Sequence, residues 1–203
     1  MMIRRLIQLF AGLVLYGFSI SVMLEAGLGL EPWGVLNEGV TEKTPLSFGL
    51  VVCLIGALVL LLWIPLRQKP GIGTVANVIV IGLAVDATAP LVPDVDGYPL
   101  RVLFLALGVL MNGVAGGLYI GAGLGPGPRD GLMTGLARRT GWPLRRVRTG
   151  IELTVLAAGW LLGGTVGVGT VFYALAIGPI VQFFLRRFTL PERRLAPALL
   201  PAE

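Results

Sequence analysis

The chain has 203 residues, 55% of them hydrophobic and 13% charged, with a mean hydropathy of +0.86. A soluble domain carries charge on roughly a quarter of its residues, so a water-soluble globular protein is excluded. The net charge of +5 lies in short Arg/Lys clusters at the ends of apolar runs, which argues against nucleic acid and for topological anchoring in a membrane.

Six apolar runs approach the roughly 20 residues needed to cross a hydrocarbon core of about 30 Å as a helix. They span about 6–24, 48–66 and 72–92, then about 102–122, 147–164 and 168–185. The alternation of barrel strands is absent, so the expected fold class is all-α, a polytopic helical membrane protein. The first run follows Met-Met-Ile-Arg-Arg but is too long for a signal-peptide core, so it is expected to be retained.

After the first run comes AGLGLEPWGVL at 26–36, containing Gly27, Gly29, Glu31, Pro32 and Trp33. Pro32 suits the first turn of a helix, with Glu31 near its positive end. The stretch Trp33–Thr44 is too short to cross a membrane, which leaves a short interfacial helix or a re-entrant half-helix. The second run holds Cys53, a lone cysteine without a disulfide partner. The third opens at Gly71-x-Gly73-Thr74 and carries Asn77 and Asp86. Asp86 sits about 22 Å into that span at 1.5 Å per residue, toward the outer side. An acid there is either an ion-pathway candidate or an interfacial acid at a helix end.

The fourth run contains Asn112 and ends in AGLGPGPRDGL at 122–132, a second version of the earlier phrase with Gly123, Gly125, Pro128, Arg129 and Asp130. A second short stretch, Arg129–Thr140, follows. In the fifth run Glu152 lies four residues after Arg148, the spacing of a helical ion pair. The sixth opens at Gly167-x-Gly169-Thr170. Asn77, Asn112, Thr74 and Thr170 are expected either to bond between helices or to line a cavity.

Residues 5–92 lie over 101–188 without a gap, ninety-six positions apart. Gly12 falls on Gly108, Gly17 on Gly113, Gly27 and Gly29 on Gly123 and Gly125, Pro32 on Pro128, and Thr74 on Thr170. The matches favour Gly, Pro and Thr, residues with backbone roles. The expected organisation is a first repeat at 1–98 and a second at 99–203 with a short cytoplasmic tail 186–203, in one membrane domain. Three spans per repeat is odd, so the repeats should insert with opposite orientation. The Arg/Lys distribution agrees: loops 67–70, 126–148 and 186–203 hold nearly all of it, which puts both termini inside. Inverted three-plus-three repeats are a recurring plan of transporters.

The phrases resemble the signature of the YczE/YyaS/YitT-like bacterial integral membrane proteins, G-L-G-x-x-P-W-D followed by a later G-x-G-T. The match is divided: Pro32-Trp33 precede Gly34 in one copy, and Arg129 precedes Asp130 in the other. The resemblance implies a multi-pass protein of the bacterial cytoplasmic membrane.

There is no histidine, and Ser19, Ser21 and Ser47 lack a nucleophile elbow, so no catalytic residue, metal or cofactor is expected. The leading expectation is a small transporter moving a small molecule or ion by alternating access. The alternative is a non-transporting accessory or scaffold protein. Asp130, Asp86, Glu31, Asn77, Asn112, Thr74 and Thr170 are the pathway candidates. Glycine ladders at Gly113, Gly117, Gly121 and Gly125, and at Gly159, Gly163 and Gly167, suit close helix packing within the chain or a homodimer. Arg101 is expected to snorkel or to pair with Asp94 or Asp96.

Overall fold

A computed structural model of the chain describes residues 2–190, so most of the expected tail lies outside the described residues. Among those described there are eight α-helices and no strand: α1 (Met2–Ala26), α2 (Pro32–Lys43), α3 (Phe48–Leu66), α4 (Ile72–Thr88), α5 (Tyr98–Ala122), α6 (Pro128–Thr140), α7 (Leu144–Leu161) and α8 (Val168–Phe188). The helix ends follow local chemistry. Gly27 (φ +60°) and Gly123 (φ +72°) turn left-handed after α1 and α5, where a side chain is strained. Pro32 and Pro128 open α2 and α6 with no donor to waste. Ser47 caps α3 by accepting from the Leu50 N–H. Thr74 Oγ1 accepts from Gly71 N–H at 3.1 Å, and Thr170 Oγ1 from Gly167 N–H at 3.3 Å.

Five helical segments are long and apolar enough to cross a membrane: Met2–Ala26, Phe48–Leu66, Ile72–Leu91, Tyr98–Ala122 and Val168–Phe188. The remaining expected span, 147–164, coincides with α7. Its opening turns carry Arg145, Arg146, Arg148 and Glu152, and it falls short of the other five in apolarity. The anticipated Arg148–Glu152 pair forms at 2.9 Å.

The centre of the fold is α1 packed antiparallel on α5. Leu9, Leu13, Ile20 and Met23 from α1 meet Leu105 and Val109 of α5, all buried. Small residues set the spacing. Gly12 sits against Ala115 and Tyr119, and Gly108 sits against Ser19 and Met23, which are the matched positions in the other half. α4 packs on α1 and α8 packs on α5. The ladder Gly113, Gly117, Gly121 is filled by Ile180, Phe184 and Phe188 of α8, so that face is used inside the chain. Outside this core, α7 lies on α2 and α3 lies on α6. The halves differ in one respect: α3 also packs along α4, and α7 has no comparable contact with α8.

Candidate functional site

Each hinge is tied to the start of the last helix of the opposite repeat, α8 or α4. Gly169 N–H donates to Leu28 O at 2.8 Å, and Gly73 N–H donates to Leu124 O at 2.8 Å, two matched bonds. Gly29 (φ +103°) and Gly125 (φ +131°) are required here. Besides the left-handed backbone, a Cβ at Gly29 would stand 2.6 Å from Gly167 N, and one at Gly125 would stand 2.9 Å from Thr74 Oγ1. Thr74 donates onward to Pro126 O at 2.8 Å. Thr74 therefore stitches the second hinge, Thr170 caps the start of α8 beside the first, and neither lines the pockets that Asp130 borders.

Held this way, α2 and α6 begin among buried residues and finish exposed. Glu31, Trp33, Gly34 and Val35 are buried while Glu42 and Lys43 are exposed; Gly127, Pro128 and Gly131 are buried while Arg138–Thr140 are exposed. The starts of the two helices meet. Arg129 Nη1 lies 3.4 Å from Glu31 Oε1, with side-chain exposures of 28% and 4%. The Arg129 guanidinium also lies over the Trp33 ring, 5.0 Å from its centroid. Such stacking is worth up to about 2 kcal/mol when desolvated. Trp63 of α3 secures the second hinge: its indole Nε1–H donates to Pro128 O at 2.9 Å and its ring covers Gly131.

A cavity of about 110 Å³ lies at this junction, with Tyr16, Trp33, Asn77, Tyr119, Arg129 and Asp130 among its lining residues. A water needs roughly 10–15 Å³ measured this way, so the space suits a solute of a few heavy atoms. Asp130 Oδ2 accepts from the Tyr119 hydroxyl at 3.2 Å. Asp130 also borders a second pocket of about 750 Å³, bounded by Gln68, Thr134, Arg138 and Leu144. It is the one ionisable side chain lining both spaces. Two buried polar atoms at the junction lack a partner: Glu31 Oε2 and Trp33 Nε1. An unmet buried donor or acceptor costs about 1–3 kcal/mol, and of the two residues Trp33 lines the cavity. Among the described residues no cluster of Cys, Asp and Glu can hold a metal ion.

The sequence candidates thus divide. Glu31, Asp130, Asn77, Trp33, Pro128 and Arg129 come together. Asn112 does not line the cavity: it is buried, donates to Ser19 Oγ at 2.9 Å and accepts from the Tyr173 hydroxyl at 2.8 Å, joining α1, α5 and α8. Asp86 lies elsewhere, exposed near the end of α4. It accepts from Ser47 Oγ at 2.6 Å and Gly49 N–H at 2.8 Å, fixing the start of α3. Arg101 donates to Val95 O at 3.4 Å, the carbonyl between the two aspartates, and not to either carboxylate. Sequence reasoning missed Tyr16, Tyr119 and Trp63. A signal for Tyr16 was present, since Tyr16 matches Asn112 and Asn77 matches Tyr173, one Tyr/Asn exchange in each half.

Comparison with known proteins places this arrangement. The model of a family of unknown function, DUF6198, matches residues 3–186. An uncharacterized protein of Haemophilus influenzae is 40% identical over 88% of this chain and 82% of its own length. The uncharacterized membrane protein YczE of Bacillus subtilis is 36% identical over 87% of this chain and 83% of its own. YyaS of the same organism is 23% identical over 90% and 95%. The resemblance expected from the hinge motif is therefore present along most of the chain. No solved structure matches.

Proposed function

We propose a transport role for this chain, which belongs to the DUF6198 family and is an integral membrane protein like YczE. It is built as two oppositely inserted three-helix halves with both termini inside, and α2 and α6 are re-entrant half-helices. The cavity between their starts holds a small polar solute or ion during passage. Arg129 and Asp130 line it near the positive ends of two half-helices, and Glu31 pairs with Arg129 from behind, a nearly balanced set. The unpartnered N–H of Trp33, which lines the cavity, favours a solute that offers an acceptor.

The observation that carries this reading is that Asp130 lines both the small cavity and the larger pocket beside Arg138. Access runs from the Arg-rich face through Asp130, and the Trp33–Arg129 stack closes the opposite side. Cysteine labelling on a Cys53→Ala background tests it. Asp130→Cys should react with a membrane-impermeant maleimide from the Arg138 face alone, and Trp33→Cys from the opposite face alone. Labelling of both positions from one face overturns alternating access and favours the accessory reading. In proteoliposomes screened with radiolabelled small polar solutes, Asp130→Asn should abolish any uptake that Asp86→Asn retains.

A further inference from the structure

Beyond the polar cavity, the fold leaves a long apolar groove of about 870 Å³ where α3 and α7 stand apart over α2 and α6. Ile55, Leu58 and Leu62 form one wall, Ile151 and Val155 the other, and the floor is Leu36 and Leu132. Its mouth holds Trp142 and Arg146. We propose that this groove binds one anionic phospholipid, an acyl chain along α3 and α7 and the phosphate on Arg146.

Three observations commit the groove to that occupant. The first is length: from Arg146 to Val155 is nine residues, about 14 Å of helix rise. That is the depth of one leaflet, half of a hydrocarbon core of about 30 Å. The second is charge. Arg148 pairs with Glu152, Arg138 bonds to Gln68 and Arg139 bonds to Pro65 O, whereas the Arg146 guanidinium makes no hydrogen bond or ion pair among the described residues. A juxtamembrane arginine near an anionic headgroup is worth about 1 kcal/mol. The third is Trp142, 64% exposed beside Arg146, the ring-at-the-headgroup placement of an interfacial anchor. Arginine at the mouth and a mostly aliphatic interior match a lipid better than a second protein copy, which would have to bury Arg146.

Gly150 makes the test clean. It lines the groove on α7, is exposed, and nothing lies within 4 Å of where its Cβ would stand. Gly150→Phe therefore starts from open space and puts a ring into the groove. The full chain is reconstituted in nanodiscs of phosphatidylglycerol and phosphatidylcholine at one to four, then released for native mass spectrometry with thermal unfolding in parallel. The wild type should retain one phosphatidylglycerol in several-fold preference to phosphatidylcholine. Gly150→Phe should lose that adduct at unchanged Tm, and Arg146→Gln should bring the preference near unity. Three results overturn the proposal: no retained lipid, equal retention by Gly150→Phe, or a wild-type dimer that Gly150→Phe dissociates. The last would make a second copy the occupant.

Discussion

The two hinges, 26–36 and 122–132, share a backbone and differ in chemistry. Both place glycines with positive φ at matched positions, both start a helix with proline, and both bond to the opposite half's G-x-G-T segment at 2.8 Å. Their side chains are complementary and not alike. The first supplies a buried acid and a ring, Glu31 and Trp33; the second supplies the cation that meets both, Arg129. Their supports are exchanged too. In the second hinge a large Trp63 covers a small Gly131, and in the first the matched Gly159 packs against the matched Val35. A repeated segment can keep its geometry through Gly and Pro while its side chains diverge to fit one another.

That comparison predicts an unequal response to breaking the charge pair. Arg129→Gln strands the Glu31 carboxylate, 4% exposed, and should destabilise by about 3–5 kcal/mol. Glu31→Gln leaves Arg129 partly exposed and still stacked on Trp33, and should cost about 1–2 kcal/mol. Equal losses of Tm in detergent would sink the view that burial sets the asymmetry. The backbone should respond evenly. Gly29→Ala and Gly125→Ala each combine a left-handed residue with a close approach, for about 2–4 kcal/mol apiece. A gap between them larger than about 1 kcal/mol would show that the hinges do not carry the same backbone role. Trp63→Phe removes one buried bond to Pro128 O and should cost about 1 kcal/mol, while Trp160→Phe, at an exposed ring, should leave Tm unchanged. Asp86→Asn weakens a bond at the start of α3 and should cost less than about 1 kcal/mol of stability, without touching either hinge.

The hinges were legible in the sequence because Gly and Pro report backbone conformation locally. Gly27, Gly29, Gly123 and Gly125 all take the positive φ that their spacing before a proline suggests. Five of the apolar runs were legible by length alone. Asp86 was ambiguous because hydropathy places a residue along a span but not around it; only the neighbouring Ser47 and Gly49 assign its work. The meeting of Glu31 with Arg129 could not be read, since ninety-eight residues separate them and no local pattern encodes which faces converge. The fifth run was harder to read for a related reason: α7 carries arginines along its opening turns and rests against α2.

One contact bears on why a single chain carries both halves. Trp33 and Arg129 occupy matched positions and lie against each other. When two identical subunits face each other across a two-fold axis, any position touching its own counterpart must present the same residue twice. Two arginines there would repel, and two tryptophans would leave the Glu31 carboxylate without a counter-ion. Covalent joining of the halves lifts that restriction, allowing a ring on one side and a cation on the other. The contact between matched positions is then where the two repeats are chemically least alike.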